Sequence, residues 1–377
     1  MRIAVNARFL IKNKMEGMGW FTYEVVRRLV ETYPEHEYYL FFDRPDESLF
    51  LEHKNVHSVV LFPPSRHPFL HLIWFEWAVA NALKKYKIDV FFSPDNFLTL
   101  RTKVPTVLVT HDIAHRHFPD QVSFFDRWYY RILVPRFLRK AQKIVAVSSF
   151  TKEDIVRNYQ IDPHKIVVAC NGCREAFRPL NEVEKKHIRA QYAEGKPYFF
   201  YVGAIQPRKN IHRLIRAFDA FKSETGGDIK LLLGGRFAWK TGAVKTAFEQ
   251  ARHRADILFT GYLPESELPK VMGGAFAFVY PSLFEGFGIP ILEAMFCDVP
   301  VITSNVSSMP EVAGEAGILV TPTDEFEIKA AMRRYWEDPH LYRQKVAAGR
   351  KQRSKFNWER AAEVVYDSLL GVAKAKG

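Results

Sequence analysis

The chain has 377 residues, room for two or three domains at about 150 residues each. At 47% hydrophobic and 25% charged it has a folded globular composition, which excludes a disordered chain. The net charge of +12 points to anionic partners without naming them, and three cysteines are too few for a disulfide framework, which fits a reducing cytoplasm. No apolar run reaches the roughly 20 residues that span a bilayer. The opening Met1-Arg2-Ile3-Ala4-Val5 reads as a strand and not as a signal peptide.

Strands are expected at 2–6, 38–42, 57–62, 88–92, 105–110, 143–147 and 165–169. Between them fit helices at 20–32, 70–86, 124–140 (interrupted near Pro135) and 150–159. A second series starts at 198–202 and continues at 229–233, 256–260, 276–280, 299–302 and 317–320. Its helices fit 210–223, 241–253, 265–272, 289–297, 325–336, 339–353 and 357–373. Apolar strands alternating with helices mean parallel sheets covered on both faces. Two such sets, parted by the polar stretch from Arg178 to Lys186, give two doubly wound domains. The division between the two is expected at 1–177 and 178–356. Ligands of such sheets bind beyond the carboxyl ends of strands, so two facing domains would form a cleft lined by strand-to-helix loops.

Four of those loops carry unusual residues. In PSLFEGFGIPILEAM (281–295), Glu285 lies in the loop and Glu293 in the following helix. Gly286 and Gly288 between them permit close backbone approach at a helix start that attracts anions. Carboxylates accept paired hydrogen bonds from vicinal hydroxyls, so this loop suits a sugar–diphosphate–ribose ligand. In YVGAIQPRKNIHRLIRAF (201–218), Gly203 ends a strand, Asn210 reads as an N-cap, and Arg208 and Lys209 sit just before the helix. Cations at a helix amino end are unfavourable unless an anion neutralises them, and a diphosphate would.

In EGMGWFTYEVVRR (16–28), Gly17 and Gly19 open a helix, but the dinucleotide pattern lacks its third glycine. In LVTHDIAHRH (108–117), His111 and Asp112 follow a strand and would point into the cleft. A neutral histidine there could bond a sugar hydroxyl. His115 and His117 invite a metal reading, but the sequence departs from the zincin signature, and no metal site is assigned. Cys170-Asn171-Gly172-Cys173 reads as a turn flanked by incidental cysteines, since no second pair completes a zinc site. From Arg127 to Lys143 there are six basic residues and no acidic one, with Trp128, Tyr129, Tyr130 and Phe137 interleaved. Two readings stay open: a docking face for an anionic membrane, or a helix with aromatics in the core and arginines in water.

These residues resemble the retaining glycosyltransferases of family 4. The segments that carry the likeness are Gly17–Gly19, Thr110-His111-Asp112, 143–155, 169–179, 203–218, 285–294 and 356–369. The resemblance implies an α/β GT-B fold, with two doubly wound Rossmann-like domains facing a central cleft and a last helix at 357–377 packing back on the first domain. It implies sugar transfer from a nucleotide-diphosphate donor with retention at the anomeric carbon, without metal or other cofactor. By the same resemblance Arg208 and Lys209 hold the diphosphate, and Glu293 binds the ribose. Glu285 contacts the donor sugar, with Ser282, Gly203 and the backbone of Gly286, Phe287, Gly288 and Ile289 around the donor. His111 is the donor-side histidine and the Gly17–Gly19 turn closes over the donor.

Trp20 and Cys170 depart from the family's usual residues. The pattern looks most like mannosyltransferases that use GDP-mannose, with UDP-sugars as the rival donors. The expected acceptor is a glycan or lipid-linked glycan in polysaccharide biosynthesis, in the cytoplasm or at the inner membrane face, with 127–143 as the membrane contact. A nucleotide-sugar epimerase or a phosphorylase on the same fold is the second reading. A basic nucleic-acid-binding protein is the third, though no recognition motif for nucleic acid is present and none is expected as a partner.

Overall fold

A computed structural model describes residues 1–11, 15–45, 53–65, 68–238 and 240–374. The chain divides into two compact units, Met1–Asn171 with Asn357–Gly377, and Gly172–Phe356.

The first unit holds seven described strands: β1 (Arg2–Asn6), β2 (Glu37–Phe42), β3 (Val56–Val60), β4 (Val90–Ser93), β5 (Thr106–Thr110), β6 (Lys143–Ala146) and β7 (Ile166–Val168). They pair in parallel in the order β3-β2-β1-β4-β5-β6-β7. Ile3 lies between Tyr38 and Val90 in register. β4 and β5 are buried along their whole length, which is why they read as unbroken apolar runs. One helical run, Pro68–Ile73, Trp74–Val79 and Ala80–Lys85, contains a π turn in its middle stretch. It buries Trp74 and Phe75 against the sheet. The last helix, Trp358–Lys374, lies on Gly17–Thr32 in the same unit. Trp358, Val365 and Leu369 are buried there, and Arg28 pairs with Glu359 at 2.7 Å. Residues 375–377 of the expected last helix lie outside the described residues.

The second unit holds β8 (Tyr198–Val202), β9 (Lys230–Gly234), β10 (Ile257–Gly261), β11 (Ala277–Tyr280), β12 (Val301–Ser304) and β13 (Gly317–Val320). All pairs are parallel, in the order β10-β9-β8-β11-β12-β13. In each sheet the strand order reverses once, between β1 and β4 and between β8 and β11.

Three expectations need correction. The helix Phe124–Lys140 runs through Pro135 without a break, because burial of Val134, Phe137 and Leu138 holds it on the sheet past the missing amide. The polar stretch after Arg178 is no bare linker. Helix Glu182–Ala193 begins there on a capping box, in which Asn181 and Glu184 each accept the other's backbone N–H at 2.9 and 2.8 Å. The division between units falls at Asn171/Gly172 and not at 177/178. Arg174 pairs with Glu293 and lies over the Phe177 ring, which ties this segment into the second unit.

Candidate active site

Where the second sheet reverses its order, the loops after β8 and β11 leave neighbouring strands side by side, the usual ligand position of such sheets. After β8 the backbone turns at Gly203, whose φ is +150°, and Gly203 N–H donates to Gly234 O at 3.0 Å. A Cβ on Gly235 would come within 2.0 Å of Gly203 O, so a side chain there is excluded and the two loops can touch through backbone alone. A 3-10 turn, Pro207–Lys209, then presents Arg208 and Lys209 immediately ahead of helix Ile211–Thr225.

Asn210 does not cap that helix as the sequence suggests. It adopts φ +63°, and its side-chain amide donates to Pro281 O at 3.0 Å and Pro322 O at 2.5 Å. It thereby pins the cationic turn to the loop after β11 and to the loop after β13. Leu283 N–H donating to Arg208 O at 2.8 Å adds a backbone tie.

The cations and Glu285 meet in this pinned region. Lys209 Nζ donates to Glu285 Oε1 at 2.5 Å and to the Tyr280 hydroxyl at 2.7 Å. Arg208 Nη1 donates to Phe284 O at 2.6 Å and lies 3.4 Å from Glu285 Oε2. Lys209 and Glu285 are 8% and 7% exposed, so water screens the pair little. Burial alone would raise the Glu285 pKa, but Lys209 and then Arg208 outweigh it and hold the carboxyl below its ordinary value. Burial, followed by the Glu285 charge, pushes the Tyr280 phenol well up, so it stays protonated. Tyr280 stacks on Tyr201 at 5.8 Å and supports the lysine from beneath.

The acidic loop is held from behind. Glu285 N–H donates to Ser307 Oγ at 3.1 Å, and Ser308 Oγ donates to Glu285 O and Phe287 O, each at 2.9 Å. Ser282 is fully buried, and its carbonyl accepts from Ser304 Oγ at 2.6 Å. Phe287 turns its ring inward against Phe356, so Gly286, Phe287 and Gly288 offer backbone in preference to side chain, and Ile289 is half-buried at the helix start. Gly288 has φ +94° at the start of helix Ile289–Phe296, a conformation a side chain would strain. Glu293, in that helix, is buried and accepts from Arg174 Nη2 at 2.8 Å.

Arg174 and Tyr280 are the residues sequence reading missed. Arg174 lies in the 169–179 segment, but its partner is 119 positions away, and Tyr280 looks like any strand aromatic.

His111, Gly17 and Gly19 belong to the first unit. His111 follows β5. Its N–H donates to Asn96 Oδ1 at 2.8 Å, and its ring Nε2 lies 2.7 Å from Pro94 O. A carbonyl only accepts, so Nε2 carries the proton and Nδ1 keeps its lone pair. Burial lowers the pKa of this ring, which favours the neutral form. The ring meets Phe21 edge-on at 5.3 Å, which places His111 beside helix Gly17–Thr32. Gly19 packs so close to the Phe9 carbonyl that a Cβ would sit 2.7 Å from its oxygen, and Gly17 opens the helix at an exposed position. His115 and His117 bond the Tyr159 hydroxyl and the Asp154 carboxylate. Cys170, Cys173 and Cys297 form no disulfide, and burial pushes the last two upward in pKa.

Two family profiles match, Glycosyltransferase Family 4 over residues 15–176 and Glycosyl transferases group 1 over residues 182–352. The chain is 31% identical over 365 residues to O-antigen chain mannosyltransferase B of Escherichia coli, across 93% of this chain and 94% of that one. It is 28% identical to O-antigen chain mannosyltransferase RfbU of Salmonella typhimurium, across 71% of this chain and 70% of that one. Among solved structures it resembles sucrose-phosphate synthase from Thermosynechococcus elongatus with a TM-score of 0.79 at 20% identity, over 98% of this chain and 99% of that one. The lipopolysaccharide glycosyltransferase WaaG gives 0.77 at 15%, over 98% and 100%. Those likenesses show the GT-B fold. With the family profiles and the full-length sequence relative added, the chain belongs to the family 4 glycosyltransferases.

Proposed function

We propose that the chain transfers mannose from GDP-mannose to a glycan or lipid-linked acceptor during polysaccharide assembly in the cytoplasm, with retention and without a metal ion. The observation that carries this reading is the Arg208–Lys209–Glu285 cluster, with Lys209 and Glu285 buried, at the order reversal of the second sheet. The curated relatives, named as O-antigen mannosyltransferases, support mannose as the sugar and polysaccharide as the product class.

The bond between the anomeric carbon and the diphosphate oxygen breaks, leaving negative charge on the diphosphate. Arg208 and Lys209 stabilise that charge as it grows, and the amides at the start of helix Ile289–Phe296 add to it. Glu285 shares Lys209 with the donor and accepts from sugar hydroxyls, and Glu293 takes the ribose diol. The acceptor oxygen bonds the anomeric carbon on the face the diphosphate leaves, and its proton passes to the departing phosphate oxygen. No covalent sugar–protein link forms on this route. The neutral ring of His111 is assigned to a donor-sugar hydroxyl.

Incubation of the purified protein with a panel of nucleotide sugars tests the donor, with nucleotide release as readout. GDP release from GDP-mannose alone is expected, and it should survive chelation by EDTA. Turnover with UDP-sugars only would overturn the donor, and an inverted anomer in the product's proton spectrum would overturn retention.

A further inference from the structure

Helix Ile289–Phe296 carries Glu293, a carboxylate that is only 4% exposed. A charge so buried needs a partner, and among the described residues its ion pair is with Arg174 alone, Nη2 to Oε1 at 2.8 Å. The neighbouring thiols offer no charge. Burial, followed by the charge on Glu293, pushes both Cys173 and Cys297 up, so they stay protonated. The second carboxylate oxygen of Glu293, Oε2, accepts no hydrogen bond among the described residues.

Arg174 is itself held in place. Its guanidinium lies 4.7 Å from the ring centre of Phe177, which is buried, and its carbonyl accepts from Phe177 N–H at 3.2 Å. A guanidinium is planar and offers its N–H groups in a fixed fork. Seated on that ring, it takes one carboxylate oxygen and limits rotation of the carboxylate, so Oε2 keeps one direction. Arg174, Phe177 and Glu293 all belong to the second unit, and the arrangement is complete within it.

A carboxylate fixed in this way has lost its freedom before a ligand arrives, so a hydroxyl that binds it orders less. A buried acceptor built for a hydroxyl also penalises a ligand that lacks one, because the oxygen is then left unmet. We propose that Arg174 is a positioning residue: it sets Glu293 so that Oε2 takes a ribose hydroxyl, and the site thereby selects ribonucleotides over deoxynucleotides. The proposal rests on the assignment of Glu293 to the donor ribose. Arg174 acts through Glu293 and touches no part of the donor, whereas Arg208 and Lys209 are the cations assigned to the diphosphate. Its loss should therefore be felt at the ribose and not at the leaving group.

Equilibrium binding of GDP and of dideoxy-GDP, which lacks both ribose hydroxyls, to the full chain tests it. UDP and dideoxy-UDP are run in parallel, so that the base does not decide the outcome. Wild type should bind the ribonucleotide at least about tenfold tighter than the dideoxy form. Arg174→Gln should weaken the ribonucleotide by about tenfold and leave the dideoxy form unchanged, which brings the ratio near one. Arg174→Lys restores the cation without the fork and should give an intermediate ratio. In turnover, Arg174→Gln should raise the donor KM by about tenfold and keep kcat within about threefold of wild type. An unchanged ratio in Arg174→Gln would overturn the proposal, as would equal loss of both nucleotides, the mark of a merely structural residue. Glu293→Ala separates this outcome from the assignment beneath it. If that variant keeps the wild-type ratio, Glu293 does not hold the ribose and the assignment itself fails. If it loses the ratio while Arg174→Gln keeps it, only the role of Arg174 fails.

Discussion

Lys209 and Glu285 face each other at 2.5 Å with almost no access to water, and Arg208 reaches the second carboxylate oxygen. Such a pair contributes little net stability while intact, because desolvation offsets attraction, but losing one partner strands the other. Lys209→Ala should therefore abolish turnover and also cost about 3 kcal/mol of stability in urea unfolding. Glu285→Gln keeps an acceptor for Lys209 and is the cleaner probe. Its turnover should fall by about 100-fold or more, with a thermal midpoint within a few degrees of wild type. Wild-type turnover in both variants would remove the cluster from the reaction. The pH dependence has a definite sign. Glu285 is held below its ordinary value of 4.5, so the pair's contribution is complete above that pH. It is lost as pH falls through the lower folded value, so unfolding should become easier only on the acid side of 4.5.

The connection of the site's loops rests on Asn210. Its left-handed backbone and two amide bonds, to Pro281 O and Pro322 O, join segments that follow three different strands. Asn210→Gly keeps the conformation and removes the bonds, so it should cost about 2 kcal/mol in urea unfolding. It should also raise the donor KM, because the cationic turn loses its tether; an unchanged KM would confine Asn210 to stability. This role was not legible in the sequence, where asparagine before a helix reads as a cap. The thirteen described strands were legible to within a few residues, because parallel strands covered on both faces have little choice but to be apolar. That Arg208 and Lys209 would lie near Glu285 was legible too, because both loops follow strands of one parallel sheet and such loops gather at its carboxyl edge. Arg174 was not, because its meaning depends on a carboxylate far along the chain. Nor was the unbroken helix through Pro135, where burial of its neighbours overrides a local rule.

At the scale of the whole chain, the second unit is an insertion into the first. The chain leaves the first unit at Asn171 and returns at Asn357, and only then does helix Trp358–Lys374 cover Gly17–Thr32. That helix buries Trp358, Val365 and Leu369 and stacks Tyr366 on Tyr33. At about 1.5–3 kcal/mol for each large buried side chain, its removal takes away a sum comparable to the roughly 5–15 kcal/mol that holds a domain folded. A chain ending at Phe356 should therefore lose the first unit's thermal transition in calorimetry and keep that of the second. Retention of both transitions would show that the helix is dispensable.

The same insertion sets an order of events on the ribosome. The second unit, Gly172–Phe356, is fully synthesised before the last helix emerges, so it has its whole sequence in hand early. The first unit begins first and finishes last. Its seven strands are made well before the helix that seals Phe21 and Trp358 together, and its apolar side must wait through the synthesis of its neighbour. A nascent chain stalled short of Trp358 is thus the species in which a chaperone would find exposed surface.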